Sequence, residues 1–525
     1  MRTYTWSLSV LLLLLPACKS PEADPPEHAE QFFEVAETYL PSVLPDPDRA
    51  AKISAVLEDA HRIYRESVED NHLPGVAYGL VVNGQLVFSG GTGIINSESG
   101  EPVSSRSLFR IASMSKSFTA MAILKLRDEG KLLLEDPVSL ILPELEELVY
   151  LSRDATPVSI RNLLTMTAGF PEDNPWGDRF LDFTDEELMN LVKRGISFSN
   201  IPSLHYEYSN LGYGLLGQII GRISGLSYQE YISKEILVPL GMTHTIWEYT
   251  EAADELLALG YRREDQQWKD EALLHDGAFG AMGGLITSIE DFSRYVSFHL
   301  QAWPPRNDPE GGPVKRSTLR EMHQMNHPRY WTDPDRFGPA ELPIMRGYGY
   351  GLVAMKDHEG VLEVGHNGGL PGFGSSYMFY PDYGIGIMAF SNLTYTGGNL
   401  RSANYRVMKI LINEGLFRAR ELPVSEILRE RKEQVIRLIQ EWDPELEKEI
   451  VAANLYPDLS RERRMQEARR LLDAAGTISH SGPIKAENQM RGSFVMYGDQ
   501  ANIRVYFTLS PEPEPRVQWL TLELI

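Results

Sequence analysis

The placement of strand-like stretches constrains this chain most. β-rich runs lie near both ends of residues 50–415, and helical patterns fill the middle. The run "GVAYGLVVNGQLVFSGGTG" (75–93) holds two such stretches joined by Asn83-Gly84, the strongest short-range hairpin signal. From about residue 348 strands return in "YGYGLVAM", "LEVGHNG", "GSSYMFYP" and "GIGIMAFSN", with Asp382-Tyr383-Gly384 as a tight connection between the last two. Strands at both ends of a domain with helices between them predict one antiparallel sheet, flanked by helices and closed by bringing distant parts of the chain together.

Helical spacing supports the same α+β class. Residues 49–68 put Ile53, Leu57, Ile63 and Tyr64 roughly on one face, which predicts a helix. A second helical pattern opens at Ser113 and Lys116 and runs to about Glu129, closed by Gly130. Residues 131–345 are mostly helical patterns broken by Pro and Gly, and 301–345 reads as irregular surface loops. A further helix is expected near 399–413. The stretch "ARELPVSEIL" (419–428) marks a boundary. Beyond it, a charged helical segment (425–475) and short strands (476–525) predict a small α+β domain, similar in order to cystatin- or NTF2-like modules.

The first residues do not belong to this fold. Trp6 to Leu15 is apolar apart from two serines and too short to cross a bilayer. It ends in Leu15-Pro16-Ala17-Cys18, which resembles a bacterial lipobox, and Cys18 is the only cysteine of the 525 residues. The alternative is a secretory signal followed by a cysteine by chance. The lipobox reading makes 1–17 a signal peptide and Cys18 a lipidated anchor. Residues 18–45, opening "CKSPEADPPEHAEQ", become a flexible tether, 46–417 the main domain and 418–525 the small one. The expected location is the cell envelope, with the protein held at a membrane and facing the periplasm or exterior. The net charge of −23 excludes a general attraction to nucleic acid.

Within the main domain, Ser113 and Lys116 lie at i and i+3 of the predicted helix and share a face. Ser113 falls at the helix start, where free N–H groups favour developing negative charge. A serine hydroxyl needs a base, and a lysine is one only if its pKa is lowered. Ser-x-x-Lys alone occurs by chance in a chain this long, so its company decides. Tyr208 can relay or accept the same proton, and the Asn210 amide can orient Lys116 and a substrate carbonyl. His366-Asn367-Gly368 sits on a predicted strand against whose edge a substrate could lie. The N–H of Gly369 could then pair with that of Ser113 as an oxyanion hole. Taken singly, the tyrosine and histidine read equally as structural residues. There is no Gly-x-Ser-x-Gly elbow and no His-Glu-x-x-His pattern, which disfavours an α/β-hydrolase and metal catalysis. No cofactor is expected.

In that order, Ser113-x-x-Lys116, Tyr208-x-Asn210 and His366-x-Gly368 resemble the three motifs of the serine β-lactamase and penicillin-binding-protein family, in its class C-like branch. Supporting strings are "LFRIASMSKSFTA", "VSIRNLLTMTAGF", "YSNLGYGLLGQII", "GAMGGLITSIEDFSRY" and "GHNGGLPGF", and the resemblance spans about residues 50–415. It implies a β-lactamase/transpeptidase-like fold: an antiparallel sheet flanked by helices, an all-helical region beside it, and the site in the groove between. It implies Ser113 as acylated nucleophile, Lys116 as general base, Tyr208 as proton-transfer partner and Asn210 as substrate-orienting residue, with His366, Gly368 and Gly369 lining the substrate. His366 stands where the family carries lysine, and a neutral histidine is a weaker clamp for a substrate carboxylate. Met166 replaces a histidine common among relatives, and Arg161 and Asn162 read as structural. The residues fit an ester- or peptide-cleaving serine hydrolase acting on a small molecule or peptide. They also fit a true β-lactamase, or a peptidoglycan- or peptide-binding member without turnover.

Overall fold

The computed structural model describes residues 34–46, 48–54, 56–331, 344–413 and 416–525. The expected signal peptide and Cys18 lie outside them.

The main sheet has eight strands: β1 (Gly75–Val82), β2 (Gln85–Gly93), β3 (Asn326–Trp331), β4 (Ile344–Tyr348), β5 (Val353–Lys356), β6 (Leu362–Leu370), β7 (Phe373–Tyr380) and β8 (Ile385–Ser391). Their order is β2-β1-β8-β7-β6-β5-β4-β3, with every pair antiparallel. The first hairpin therefore joins the last strand, as its position in the sequence predicts. Its turn puts Asn83 at φ +52° and Gly84 at φ +76°, the left-handed pair that an Asn-Gly hairpin turn requires.

Side chains alternate across the pleat, so the two faces build two cores. Val76, Tyr78 and Leu80 of β1 meet helices α1 (Leu57–Asn71) and α5 (Gly397–Asn413). Tyr64 of α1 stacks on Tyr78 with ring centroids 4.0 Å apart, and its hydroxyl donates to Asn404 Oδ1 of α5 at 2.6 Å. Ala77 and Val81 belong to the larger core on the opposite face, with α4 (Ile289–Gln301) and the helical lobe that contains α2 (Lys116–Asp128) and α3 (Asn210–Ser224).

Several boundaries differ from the sequence reading. The 49–68 helix is two helices, Arg49–Ile53 and Leu57–Asn71. The irregular 301–345 stretch contributes a helix, Arg316–Met322, and the edge strand β3, which carries Pro328 and a register shift. Proline is tolerated on a sheet edge, where its missing N–H leaves no ladder bond open. The expected tether is not free over its described end: Val43 pairs with Glu421, and the Tyr39 hydroxyl donates to the Pro305 carbonyl at 3.0 Å. The same pairing keeps residues 417–421 with the main body, beyond the 417/418 boundary. Phe417 lies in the α1/α5 core, and Arg420 N–H donates to Asp382 O at 2.7 Å.

From Ser425 onward a separate core forms. Helices α6 (Glu426–Glu441) and α7 (Arg461–Ala475) cover a five-stranded antiparallel sheet spanning Ile478 to Leu524. Among the described residues no helix is long and apolar enough to cross a membrane.

Candidate active site

Ser113 stands in a single 3-10 turn, Ala112–Ser115, that leads into α2, whose first residue is Lys116. Ala112 is held at φ +52°, a conformation a non-glycine residue adopts only when its surroundings impose it. Here they do. Ile111 N–H donates to Leu285 O at 2.9 Å, and Ile111 O accepts from Ser375 Oγ at 2.7 Å. Gly368 of β6 fits against this turn only because it lacks a side chain: a Cβ there would meet Ile111 O at 2.4 Å and Ser375 Oγ at 2.1 Å.

Lys116 has no exposed surface. Its Nζ lies 3.0 Å from Ser113 Oγ, 2.7 Å from Asn210 Oδ1 and 2.9 Å from the Met282 carbonyl. Burial pulls the ammonium far below its ordinary value, to about 7, against the pull of Asp178 and Asp173. The Met282 sulfur lies farther off at 3.9 Å, and of the three oxygen partners two are carbonyls, which only accept. A neutral amine gives its two N–H groups to them and turns its lone pair to the serine hydroxyl. The base geometry is thus fixed by acceptors on either side of it.

Tyr208 faces the same pair. Its ring centroid lies 4.9 Å from Lys116 Nζ, and its hydroxyl hydrogen-bonds with Ser113. Burial raises this phenol well above 10, so it stays protonated at neutral pH. Asn210 begins α3, and its side chain links Lys116 to Asn174 Oδ1 and Asp178 Oδ1, each 3.2 Å from Nδ2. Asp173 holds the helix end in place. Its oxygens accept from the N–H groups of Asn210 (2.6 Å) and Leu211 (2.8 Å).

His366 is buried on β6, with its ring centroid 6.2 Å from that of Tyr208. Its Nδ1 lies 2.5 Å from the Asn367 carbonyl and therefore carries the proton. Its Nε2, 3.1 Å from the Tyr348 hydroxyl, accepts. Burial, aided by Lys116 and Arg346, lowers the ring to about 3 and keeps it neutral. Both nitrogens are engaged by protein groups. This bears on the expected substrate-binding role of His366: the ring presents neither a charge nor a spare donor to a substrate.

A cavity of about 450 Å³ contains Ser113, Tyr208 and His366 on its lining, and Gly368 and Gly369 form part of its wall. The structure therefore brings Ser113, Lys116, Tyr208, Asn210, His366, Gly368 and Gly369 to one place. It adds groups the sequence reading missed: the Met282 carbonyl, Asp173, Asp178, Tyr348 and Arg346, which also lines the cavity. The segment "PEDNPWGD" (171–178) carried both aspartates, but no spacing tied them to Lys116.

An antiparallel sheet with helices on both faces, a helical lobe beside it and a buried Ser–Lys pair whose serine lines the cavity define a β-lactamase/transpeptidase-like fold. The Beta-lactamase family model matches residues 60–412, and the chain belongs to that family. Protein flp of Staphylococcus aureus is 29% identical over 338 residues, 63% of this chain and 62% of its own length. The chain thus spans about 62% of the length of these curated relatives. Beta-lactamase-like protein 2 of Dictyostelium discoideum is 27% identical over 272 residues, 50% of this chain and 49% of its own. Among solved structures, an octameric penicillin-binding protein homologue from Pyrococcus abyssi is similar with a TM-score of 0.56 at 22% identity, covering 89% of this chain and 95% of that one. A class C beta-lactamase gives a TM-score of 0.54 at 22% identity, covering 68% and 97%. These structural likenesses concern the fold.

Proposed function

We propose that the protein is a serine hydrolase that cleaves an ester or amide bond through an acyl-enzyme on Ser113. The observation that carries this reading is the buried Lys116 amine, 3.0 Å from Ser113 Oγ, with both of its other oxygen partners carbonyls. Lys116 takes the hydroxyl proton as Oγ attacks the substrate carbonyl. Tyr208, a neutral phenol in this environment, relays that proton to the leaving group: it gives up its own proton as it takes the one carried by Lys116, so it ends as a phenol and Lys116 as an amine. The backbone N–H groups of Ser113 and Gly369 receive the oxyanion, and Asn210 orients Lys116 and the substrate carbonyl. Water attacks the acyl-enzyme by the reverse proton path.

Within this class the neutral His366 favours an esterase or peptidase of small-molecule or peptide substrates over a fast β-lactamase. A fixed cation is absent from the position where the family carries lysine. Arg346 supplies the positive charge nearby, from another strand.

The test is labelling of the purified protein by a fluorophosphonate, read by intact mass. One adduct on Ser113 is expected, and Ser113→Ala should lose labelling and lower turnover by about 10³-fold or more. Full turnover in that variant would refute the nucleophile. Short-chain nitrophenyl esters should be cleaved with little nitrocefin turnover, and the opposite pattern reverses the ranking. We further propose that Cys18 is lipidated and holds the enzyme at an envelope membrane. Cys18→Ala should then move the protein from the membrane to the soluble fraction.

A further inference from the structure

We propose that Asp178 is a positioning residue that completes a Ser113–Lys116–Asp178 relay, acting on Lys116 through the side-chain amide of Asn210. The proposal rests on the reading of Ser113 and Lys116 as nucleophile and base.

The geometry is a continuous line of short contacts. Ser113 Oγ meets Lys116 Nζ at 3.0 Å, Lys116 Nζ meets Asn210 Oδ1 at 2.7 Å, and Asn210 Nδ2 meets Asp178 Oδ1 at 3.2 Å. The amide is planar, so its carbonyl faces Lys116 and its N–H faces Asp178 at once. Turning it over would break both contacts. Lys116 is 0% and Asp178 2% exposed, so neither charge is carried by solvent.

The other groups around the pair leave Asp178 as the balancing anion. Facing Lys116 are Ser113, the Met282 carbonyl, the rings of Tyr208 and Tyr213 (4.9 and 5.7 Å), neutral His366, Asp173 and Asp178. Asp173 is committed to the end of α3, where it takes two backbone N–H groups and the Ser209 hydroxyl. Facing Asp178 are Asn210, Lys116, Asp173 and the Tyr395 hydroxyl, from an exposed loop residue. Burial raises the Asp178 carboxyl and lowers the Lys116 ammonium, so the two titrate as one pair. In the competent form Lys116 is an amine and Asp178 a carboxylate. As the Ser113 O–H bond breaks, its electron pair attacks the electrophile and its proton forms the third N–H bond of Lys116. The new ammonium is buried, and the Asp178 charge offsets it through the amide.

The experiment measures the rate of fluorophosphonate labelling of Ser113 in the full chain, from about pH 5 to about pH 9. In the native protein the rate should rise with pH through a limb near 7, as the Lys116–Asp178 pair gives up its last proton and leaves Lys116 an amine. Asp178→Asn keeps one acceptor oxygen for Asn210 Nδ2 and removes the charge. It should move that limb down by about one pH unit and lower the plateau about tenfold, because Lys116 becomes a weaker base. Asp178→Glu should restore the limb. A rate that falls equally at every pH, with the limb unmoved, marks a structural role and overturns the proposal. Should Asp178→Asn not fold, Tyr395→Phe reads the same limb from a surface position. Loss of its donor weakens the carboxylate, and the limb should fall by about 0.3 pH units; an unmoved limb overturns the proposal. Failure of native protein to label at Ser113 at any pH overturns the nucleophile itself, a result distinct from normal labelling with an unresponsive limb.

Discussion

A lysine without exposed surface is costly to keep charged, and Lys116 meets that cost by becoming an amine near neutral pH. His366 follows the same rule with a different result. Its ring is neutral and tied at both nitrogens, so the family's usual positive charge at this place is replaced by an inert wall. The most demanding position nearby is Gly368. Its hydrogen faces the turn that carries the nucleophile, and a methyl group would press on Ile111 O and Ser375 Oγ. Gly368→Ala should therefore destabilise the protein by about 1–3 kcal/mol and cut Ser113 labelling far more than this stability loss explains. Urea unfolding beside labelling kinetics checks both. Wild-type behaviour on both measures would mean that β6 can retreat freely from the turn.

Helix α3 shows how an element is tuned from outside its own sequence. Ser209 caps it locally, accepting from Gly212 N–H at 3.1 Å. Asp173, far back in the chain, takes the first two N–H groups of the helix, those of Asn210 and Leu211. Asp173→Ala should cost about 1–2 kcal/mol as a lost cap, and it should slow acylation because Asn210 opens the helix. Thermal unfolding and labelling rates test this, and an unchanged melting temperature would show that Ser209 suffices. The contrast explains what sequence alone could disclose. Asn83-Gly84, Ser113 with Lys116, and the strands on either side of Asp382-Tyr383-Gly384 are set by neighbours within a few residues. Periodicity and turn chemistry reveal such features. Asp178, Met282 and Tyr348 reach the site only after distant segments pack, and their local sequence carries no mark of it. Strand β3 was hidden because Pro328 argues against a strand anywhere except at an edge, and edge position is a property of the finished sheet.

On the scale of the whole molecule, acid should be destabilising for a reason separate from its carboxylates. Trp303 Nε1–H donates to His323 Nδ1 at 3.0 Å, so His323 Nε2–H donates to His299 Nδ1 at 2.9 Å. The remaining Nε2–H of His299 is buried without a hydrogen-bond partner among the described residues. Burial lowers both rings, His299 to about 3 and His323 also well below its usual range. The unfolded chain titrates them near 6.5 and binds more protons below that pH. The contribution of His299 is complete above about 6.5 and declines as pH falls toward about 3, at up to about 1.4 kcal/mol per pH unit, and His323 acts in the same direction. Urea midpoints at successive pH values should show this slope, and His299→Leu should flatten it. An equal slope in the variant would assign acid sensitivity to other groups. The pairing of Val43 with Glu421 has a different outcome. The chain enters and leaves the main body at one spot, so the intervening 44–420 segment is topologically a cassette. Such a unit can be spliced into a surface loop of an unrelated host without stretching either partner, and the module that begins at Ser425 follows within a few residues of that junction.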